Sequence, residues 1–312
     1  MLPFARNDRV DWCDNARVET LRGLAYTIIL ALNTIFCVGV LMPFALVKFA
    51  IPVDGVRKPL DRLLNAIAAL WIANNSTIMR NVRWDVRGVE GLSRKRWYLV
   101  EANHQSWADI FVLQKVLTGR IPLLKFFLKR QLIWVPLIGA AWWALDFPFM
   151  KRHSQEFLRK HPERRGDDLA AIRRSCEKFS LIPTAVMNFL EGTRFTPEKQ
   201  NAEGSPYRHL LSPKAGGIGL ALNAIGERFH SLLDITLFYP GGAPSFFGLL
   251  AGRVKEVVVQ LRELPIPTDL TSGNYAADPH FRARVQEWVA ELWREKDQML
   301  EQLRLEYGER SA

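Results

Sequence analysis

The run Trp97-Tyr98-Leu99-Val100-Glu101-Ala102 is mostly apolar, ends in Asn103-His104, and is followed five residues after the histidine by Asp109. A strand that stops there, then a short turn, then a helix opened by the aspartate would fold Asp109 back onto the His104 ring. A carboxylate that accepts from one ring nitrogen fixes the tautomer and leaves the other nitrogen as a base. Such a base can take the proton of a hydroxyl as that hydroxyl attacks a thioester carbon, a contribution of roughly 10²–10⁴ in rate, with no protein nucleophile. No Gly-x-Ser-x-Gly run occurs, which counts against a hydrolase built on a nucleophile elbow. Taken alone, the pair has a plain reading as well: a polar turn histidine and a helix-capping aspartate.

A second segment, Val186-Met187-Asn188-Phe189-Leu190, runs into Glu191-Gly192-Thr193-Arg194. Glycine after a strand lets backbone turn closely around a ligand. Arg194 offers a planar fork suited to phosphate, and Glu191 would orient that arginine or bind an acceptor hydroxyl. The plain alternative is a strand-end turn with an ion pair. Between the two segments lie 129–139, with Lys129, Trp134, Pro136 and Gly139, and then Phe149-Met150-Lys151-Arg152. Cations beside apolar and aromatic surface suit a molecule with a phosphate head and an acyl tail.

The elements that must position these residues read as mixed α/β from about residue 80. Strand-like runs fall at 84–89, 97–102, 185–190, 235–239 and 254–261, and helical patterns at 109–117 and 213–225. Strands alternating with helices favour an α/β sheet flanked by helices. The last element is a long helix capped by Asp278 with Pro279 at its first position, and Phe281, Val285, Trp288, Leu292 and Leu303 form its apolar stripe. Ahead of all this, residues 24–47 carry no charge, enough to cross a bilayer core. Gly39 and Pro43 inside the run allow either a straight span or a bent, partly re-entrant pair of pieces. A second apolar helix is expected to start at Pro59, with a stripe at Leu60, Leu63, Leu64, Ile67, Leu70, Trp71 and Ile78. This divides the chain into membrane-anchoring helices at 1–79 and a second domain at 80–312. Arg6, Arg9, Arg17 and Arg22 precede the first run and Lys48, Arg57, Lys58 and Arg62 follow it, which suits a hairpin with both ends on the cytoplasmic face.

The 312 residues are 48% apolar, too few for a polytopic membrane protein, and the net charge of +10 suits an anionic partner. Cys13, Cys37 and Cys176 are few and scattered, so a disulfide framework is not expected and a reducing compartment is. A basic cluster at 151–178, interrupted by acids, reads as a solvated helical face or as a contact with anionic headgroups.

In this order, the segments resemble the lysophosphatidic acid acyltransferases of glycerolipid synthesis, the PlsC family. Asn103 to Asp109 matches the family's NHxxxxD motif, with His104 as base and Asp109 as its partner. Glu191 to Arg194 matches its EGTR motif, which binds the phosphorylated acceptor; 129–139 resembles the block before the second motif, and Arg152 falls on the arginine that ends it. Pro213-Lys214-Ala215-Gly216-Gly217 resembles the family's proline-lysine-glycine helix start, and 237–240 its last hydrophobic motif. The likeness covers about residues 80 to 240, and 142–152 with the basic stretch after it looks closer still to the YihG branch of proteobacterial inner-membrane acyltransferases. Two positions and one motif depart: Lys151 stands where an aspartate is usual, Gln131 replaces a glutamate, and Leu237-Phe238-Tyr239-Pro240 replaces valine-proline repeats.

The resemblance implies acyl transfer from acyl-CoA or acyl carrier protein to the free hydroxyl of 1-acyl-glycerol-3-phosphate. His104 and Asp109 would be catalytic, and Asn103, Lys129, Arg152, Glu191, Gly192, Thr193 and Arg194 would bind substrate. It implies no cofactor and no metal, a place in a bacterial inner membrane with the site facing the cytoplasm, and contact with anionic lipids. Two alternatives stay open: another lysolipid acceptor, and a non-catalytic membrane-associated nucleic-acid binder suggested by charge alone, without an RNP-type strand.

Overall fold

The computed structural model describes residues 7–150, 181–275 and 277–309. Two long helices come first, α1 (Asn7–Ala50) and α2 (Asp54–Asn75). Strand β1 (Arg83–Arg87) and strand β2 (Trp97–Ala102) follow, then α3 (Ala108–Leu117), β3 (Leu124–Phe126), β4 (Leu128–Lys129), α4 (Ile138–Ala144) and β5 (Phe149–Met150). The chain continues through β6 (Ala185–Phe189), α5 (Pro197–Glu203), α6 (Gly216–Ile225), β7 (Phe229–Phe238), α7 (Phe246–Leu250), β8 (Glu256–Leu264) and α8 (Pro279–Glu309).

Six strands make one sheet in the order β1-β8-β7-β2-β6-β3, and β4 pairs with β5 in a separate ribbon. Strands β3, β6, β2 and β7 run parallel, β8 turns back against β7, and β1 runs with β8. Strand β2 is central: Ala102 is level with Phe189 on one side and Ile235 on the other. A parallel strand buried on both faces needs apolar residues at nearly every position. Tyr98, Val100 and Ala102 face a core shared with α1, α2 and α3, while Leu99 faces a second core shared with α6 and α8. The expected mixed sheet flanked by helices is the observed architecture.

The structure corrects several boundaries. Helix α2 begins at Asp54, not Pro59, because the Val53 carbonyl accepts from the amides of Val56 and Arg57 and starts the turn. Pro59 then sits inside, where its ring meets the carbonyl four residues back, which belongs to Gly55. The same spacing recurs at Pro43 and Gly39, and α1 runs through both without a break. Helix α6 starts at Gly216 rather than 213, and β7 starts at Phe229 rather than 235. Asp278 caps α8, its Oδ1 accepting from the amides of His280 and Phe281.

Among the described residues, α1 is long and apolar enough to cross a membrane, and only 22% of its most apolar window is buried in the protein. Its Ile28, Leu32, Ile35 and Phe36 stand exposed. Its Leu41 and Ala45, with Leu64 and Ala68 of α2, belong to the same core as the sheet. Position 79/80 thus falls within one continuous core. Of the expected α2 stripe, Leu64 is buried and Leu63 and Leu70 are exposed. Lys48 is no flanking surface cation: its Nζ is buried between Asp61 Oδ1 at 2.8 Å and Asp146 Oδ2, and also donates to the Ala144 carbonyl.

Candidate active site

Strands β2, β6 and β7 are parallel neighbours, so the loops that leave their carboxyl ends gather at one edge of the sheet, the usual ligand-binding end of an open α/β sheet. His104 lies in the loop after β2 and Asp109 in the first turn of α3. His104 Nδ1 is 2.9 Å from Asp109 Oδ2. That oxygen also accepts from the amides of Gln105 at 2.6 Å and Ser106 at 2.8 Å, while Oδ1 accepts from the Tyr239 hydroxyl at 2.6 Å. Asp109 is fully buried, and the His104 side chain is 13% exposed. The imidazole lies flat on Phe189, with ring centroids 4.0 Å apart and planes 16° apart. Among the described residues, no hydrogen bond takes Nε2. A carboxylate on Nδ1 and an open Nε2 make a histidine fit to accept a proton.

The Glu191–Arg194 turn comes from the neighbouring strand. Gly192 has φ of +67°, a backbone conformation that favours glycine. The Phe195 amide donates to the His104 carbonyl at 2.7 Å, which ties this turn to the histidine loop. The Arg194 guanidinium lies over the exposed Trp107 ring, 5.5 Å from its centroid, beside the dyad loop. Thr193 Oγ1 accepts from Lys199 Nζ at 2.9 Å. Arg194 is exposed and turned to solvent at the same end of the sheet as His104.

Glu191 and Asn103 sit differently from a group that meets a ligand. Glu191 is fully buried; Oε1 accepts from the His104 amide at 2.7 Å and Oε2 from the Leu211 amide at 3.1 Å. Among the described residues it makes no ion pair with Arg194. Burial pushes its carboxyl up to about 7, against the two amides that pull it down. Asn103 is fully buried too, its side chain donating to the Leu237 carbonyl and accepting from the Leu237 amide. It prolongs the β2–β7 pairing beyond Ala102. Both residues brace the loop that carries His104.

Lys129 is exposed on the β4–β5 ribbon, and among the described residues no hydrogen bond or ion pair joins it to the dyad. Arg152 and the basic cluster at 151–178 lie outside the described residues. The described residues hold no group of three or more His, Cys, Asp or Glu side chains placed to bind a metal ion. Sequence reasoning missed Phe189 and Tyr239. Phe189 looks like any strand residue, but Tyr239 had a signal: it is the polar departure in an otherwise hydrophobic motif.

Residues 83–239 match the acyltransferase family. The 1-acyl-sn-glycerol-3-phosphate acyltransferase gamma of Mus musculus is 29% identical over 189 residues, which cover 57% of this chain and 45% of that protein. The delta protein of Homo sapiens is 26% identical over 216 residues, 65% of this chain and 52% of that one. The chain spans about half the length of the curated relatives it matches. The crystal structure of the 1-acyl-sn-glycerophosphate (LPA) acyltransferase, PlsC, from Thermotoga maritima aligns with 89% of this chain and 97% of its own, at 16% identity and a TM-score of 0.47.

Proposed function

Because the chain belongs to the acyltransferase family, we propose that it moves a fatty acyl chain from acyl-CoA or acyl carrier protein to the free hydroxyl of 1-acyl-glycerol-3-phosphate, giving phosphatidic acid. The observation that carries this reading is the His104–Asp109 contact, with Nε2 open, at the sheet end where Arg194 also stands.

His104 Nε2 takes the proton of the acceptor hydroxyl as its oxygen attacks the thioester carbonyl carbon. The tetrahedral intermediate collapses, the carbon–sulfur bond breaks, and the imidazolium returns the proton to the departing thiolate. Asp109 holds the ring and stabilises its charge during the step. Arg194 meets the acceptor phosphate, with Arg152 and Lys129 as further cations and the Gly192–Thr193 backbone close by. Asn103 and Glu191 act through the loop they brace. A lysolipid with a larger headgroup is the second reading, favoured by the exposure of Arg194.

The exposed apolar side of α1 and the neighbouring loop, where Trp134 is 85% exposed beside Val135 and Leu137, support a seat in a bilayer. Arg130 and Lys129 next to that loop fit anionic headgroups. We place the protein in a bacterial inner membrane, within the YihG branch, with its site toward the cytoplasm where both thioester donors are made.

The test is transfer by the purified, detergent-solubilised protein, with lysophosphatidic acid and a panel of other lysolipids, each offered with acyl-CoA and acyl carrier protein. Lysophosphatidic acid should be acylated, and His104→Ala should cost roughly 10²–10⁴ in rate. Transfer only to another lysolipid moves the conclusion to the second reading. No transfer to any acceptor, or full activity without His104, ends it; salt-sensitive RNA binding in such a protein would favour the nucleic-acid alternative.

A further inference from the structure

We propose that Tyr239 is a positioning residue of this site: its phenol, set at the end of β7, holds Asp109 and through it governs how tightly the His104 ring keeps a proton. The inference rests on His104 acting as the base.

Asp109 has two oxygens and four donors. Oδ2 serves the His104 ring and two main-chain amides, and Oδ1 is left to the Tyr239 hydroxyl at 2.6 Å. Tyr239 is buried in the same core as α3. A buried tyrosine satisfied for packing alone would do as well with any carbonyl. This one takes the single carboxylate oxygen that no other described group serves. Its position is fixed by the sheet, because Leu237, two residues before it, is locked in both directions to Asn103, the residue before His104. The ring and its carboxylate are thus registered to each other through β7.

The hydrogen bond acts in two ways. It fixes the carboxylate plane, and so the direction of Oδ2 toward Nδ1. It also draws negative charge toward Oδ1, which lessens the pull of Oδ2 on the ring proton. Burial, the Asp109 charge and the hydrogen bond itself push the phenol well above its ordinary value, so it stays a donor at any working pH. Other charged groups face the dyad from elsewhere. Glu191, at the end of β6, accepts the His104 amide; Lys296 of α8 acts on Glu191 by its charge; and Arg194 lies over Trp107. None of these bonds the Asp109 carboxylate among the described residues.

The experiment follows carbethoxylation of His104 by diethyl pyrocarbonate against pH, read by peptide mass in the full-length, detergent-solubilised protein, beside kcat and KM. The reagent attacks only the unprotonated ring. Tyr239→Phe should raise the midpoint by roughly 0.5–1 pH unit, move the acidic limb of kcat/KM the same way and lower kcat on the order of tenfold, with the KM for acceptor unchanged. In an Asp109→Asn background the effect of Tyr239→Phe should vanish. Site-specific 3-fluorotyrosine at 239 keeps the ring and hydroxyl but donates more strongly, and should move the midpoint down; it also serves if the phenylalanine variant fails to fold. Midpoints unmoved by both changes, or an equal shift without Asp109, overturn the inference. Carbethoxylation needs no lipid: opposite shifts in a protein that acylates nothing would keep Tyr239 and end the proposed reaction, and an active protein with unmoved midpoints would do the reverse.

Discussion

Two regions of the molecule each bury a lysine between two carboxylates and a main-chain carbonyl, and they use it differently. In the α1–α2 hairpin, Lys48 joins Asp61 of α2 to Asp146 and the Ala144 carbonyl at the end of α4. Under the candidate site, Lys296 of α8 donates to Asp234 of β7 and the Ile235 carbonyl, and its Nζ lies 3.1 Å from Glu101 Oε1 of β2, off hydrogen-bonding geometry. The Lys48 side chain and its two acids each keep about 8% exposure, at the rim where the hairpin meets the sheet domain. The Lys296 group keeps none, and continues outward through Arg262, whose Nε donates to Asp234 at 2.8 Å, to Glu295. Burial pushes the Glu101 carboxyl well up, against the pull of Lys296. Burial acts on Asp234 as well, but the charges of Lys296 and Arg262 and the hydrogen bonds they donate hold its carboxyl far below the usual range. The rim lysine is a tie between elements; the central one anchors α8 under β2 and β7, the strands that carry His104 and Tyr239.

Removing each lysine separates these roles. Lys296→Met leaves Asp234 ionised in a dry core with Arg262 as its remaining cation, and should cost about 3–5 kcal/mol of stability. Lys48→Met should cost less, about 1–3 kcal/mol, because its acids lie near enough to the surface to recover some hydration. Denaturant unfolding measures both. Limited proteolysis adds the distinguishing reading: Lys48→Met should speed cleavage at 51–53, between α1 and α2, while the sheet domain stays resistant. Equal losses with no new cleavage would remove the distinction between tie and frame.

The hairpin differs from the sheet end in a second respect, since α1 carries a long run of exposed aliphatic residues. Leu32 is exposed on α1. In water, an aspartate there would be nearly neutral for folding. At the centre of a bilayer-spanning helix it costs about 2.5–3.5 kcal/mol. Leu32→Asp should therefore shift the protein out of the membrane fraction on expression. Full retention in carbonate-washed membranes would argue that this face of α1 does not meet lipid.

The regions also differ in how far the sequence announces them. The strands at 97–102 and 185–190 are legible because parallel strands buried on both faces leave mostly apolar runs, each broken only once, by Glu101 and by Asn188, and the observed β2 and β6 follow them within a residue. The turn of Asp109 onto His104 is legible because only five residues separate them. Strand β7 begins six residues before the expected 235, since His230, Ser231 and Asp234 break the apolar run. Asp234 is tolerated there because Lys296, 62 positions later, satisfies it. Lys296 itself looks like one more solvated cation on an amphipathic helix. Glu191 and Asn103 carry motif signatures that point to substrate, whereas their hydrogen bonds go to backbone far along the chain. Pairings of this range are set by the fold and leave no local pattern.

Glu191 supplies the smallest and most specific test of the buried end. Its carboxyl sits at about 7 in the fold against an ordinary 4.5. Below about pH 4.5 both folded and unfolded chains hold the proton, and the group contributes no pH dependence. Between about 4.5 and 7 the folded chain keeps a proton that the unfolded chain has lost, so stability falls as pH rises, by up to about 3 kcal/mol in all. Glu191→Gln has no proton to lose. Its amide keeps an acceptor for one main-chain N–H but turns a donor toward the other, so the variant should be the less stable protein at pH 5. The gap should then narrow as pH rises to 8, because only the wild type pays for ionisation. Urea unfolding of both proteins at several pH values gives the gap directly. A gap independent of pH would mean that Glu191 stays charged in the fold, and that the His104 amide is held by an ionised carboxylate throughout.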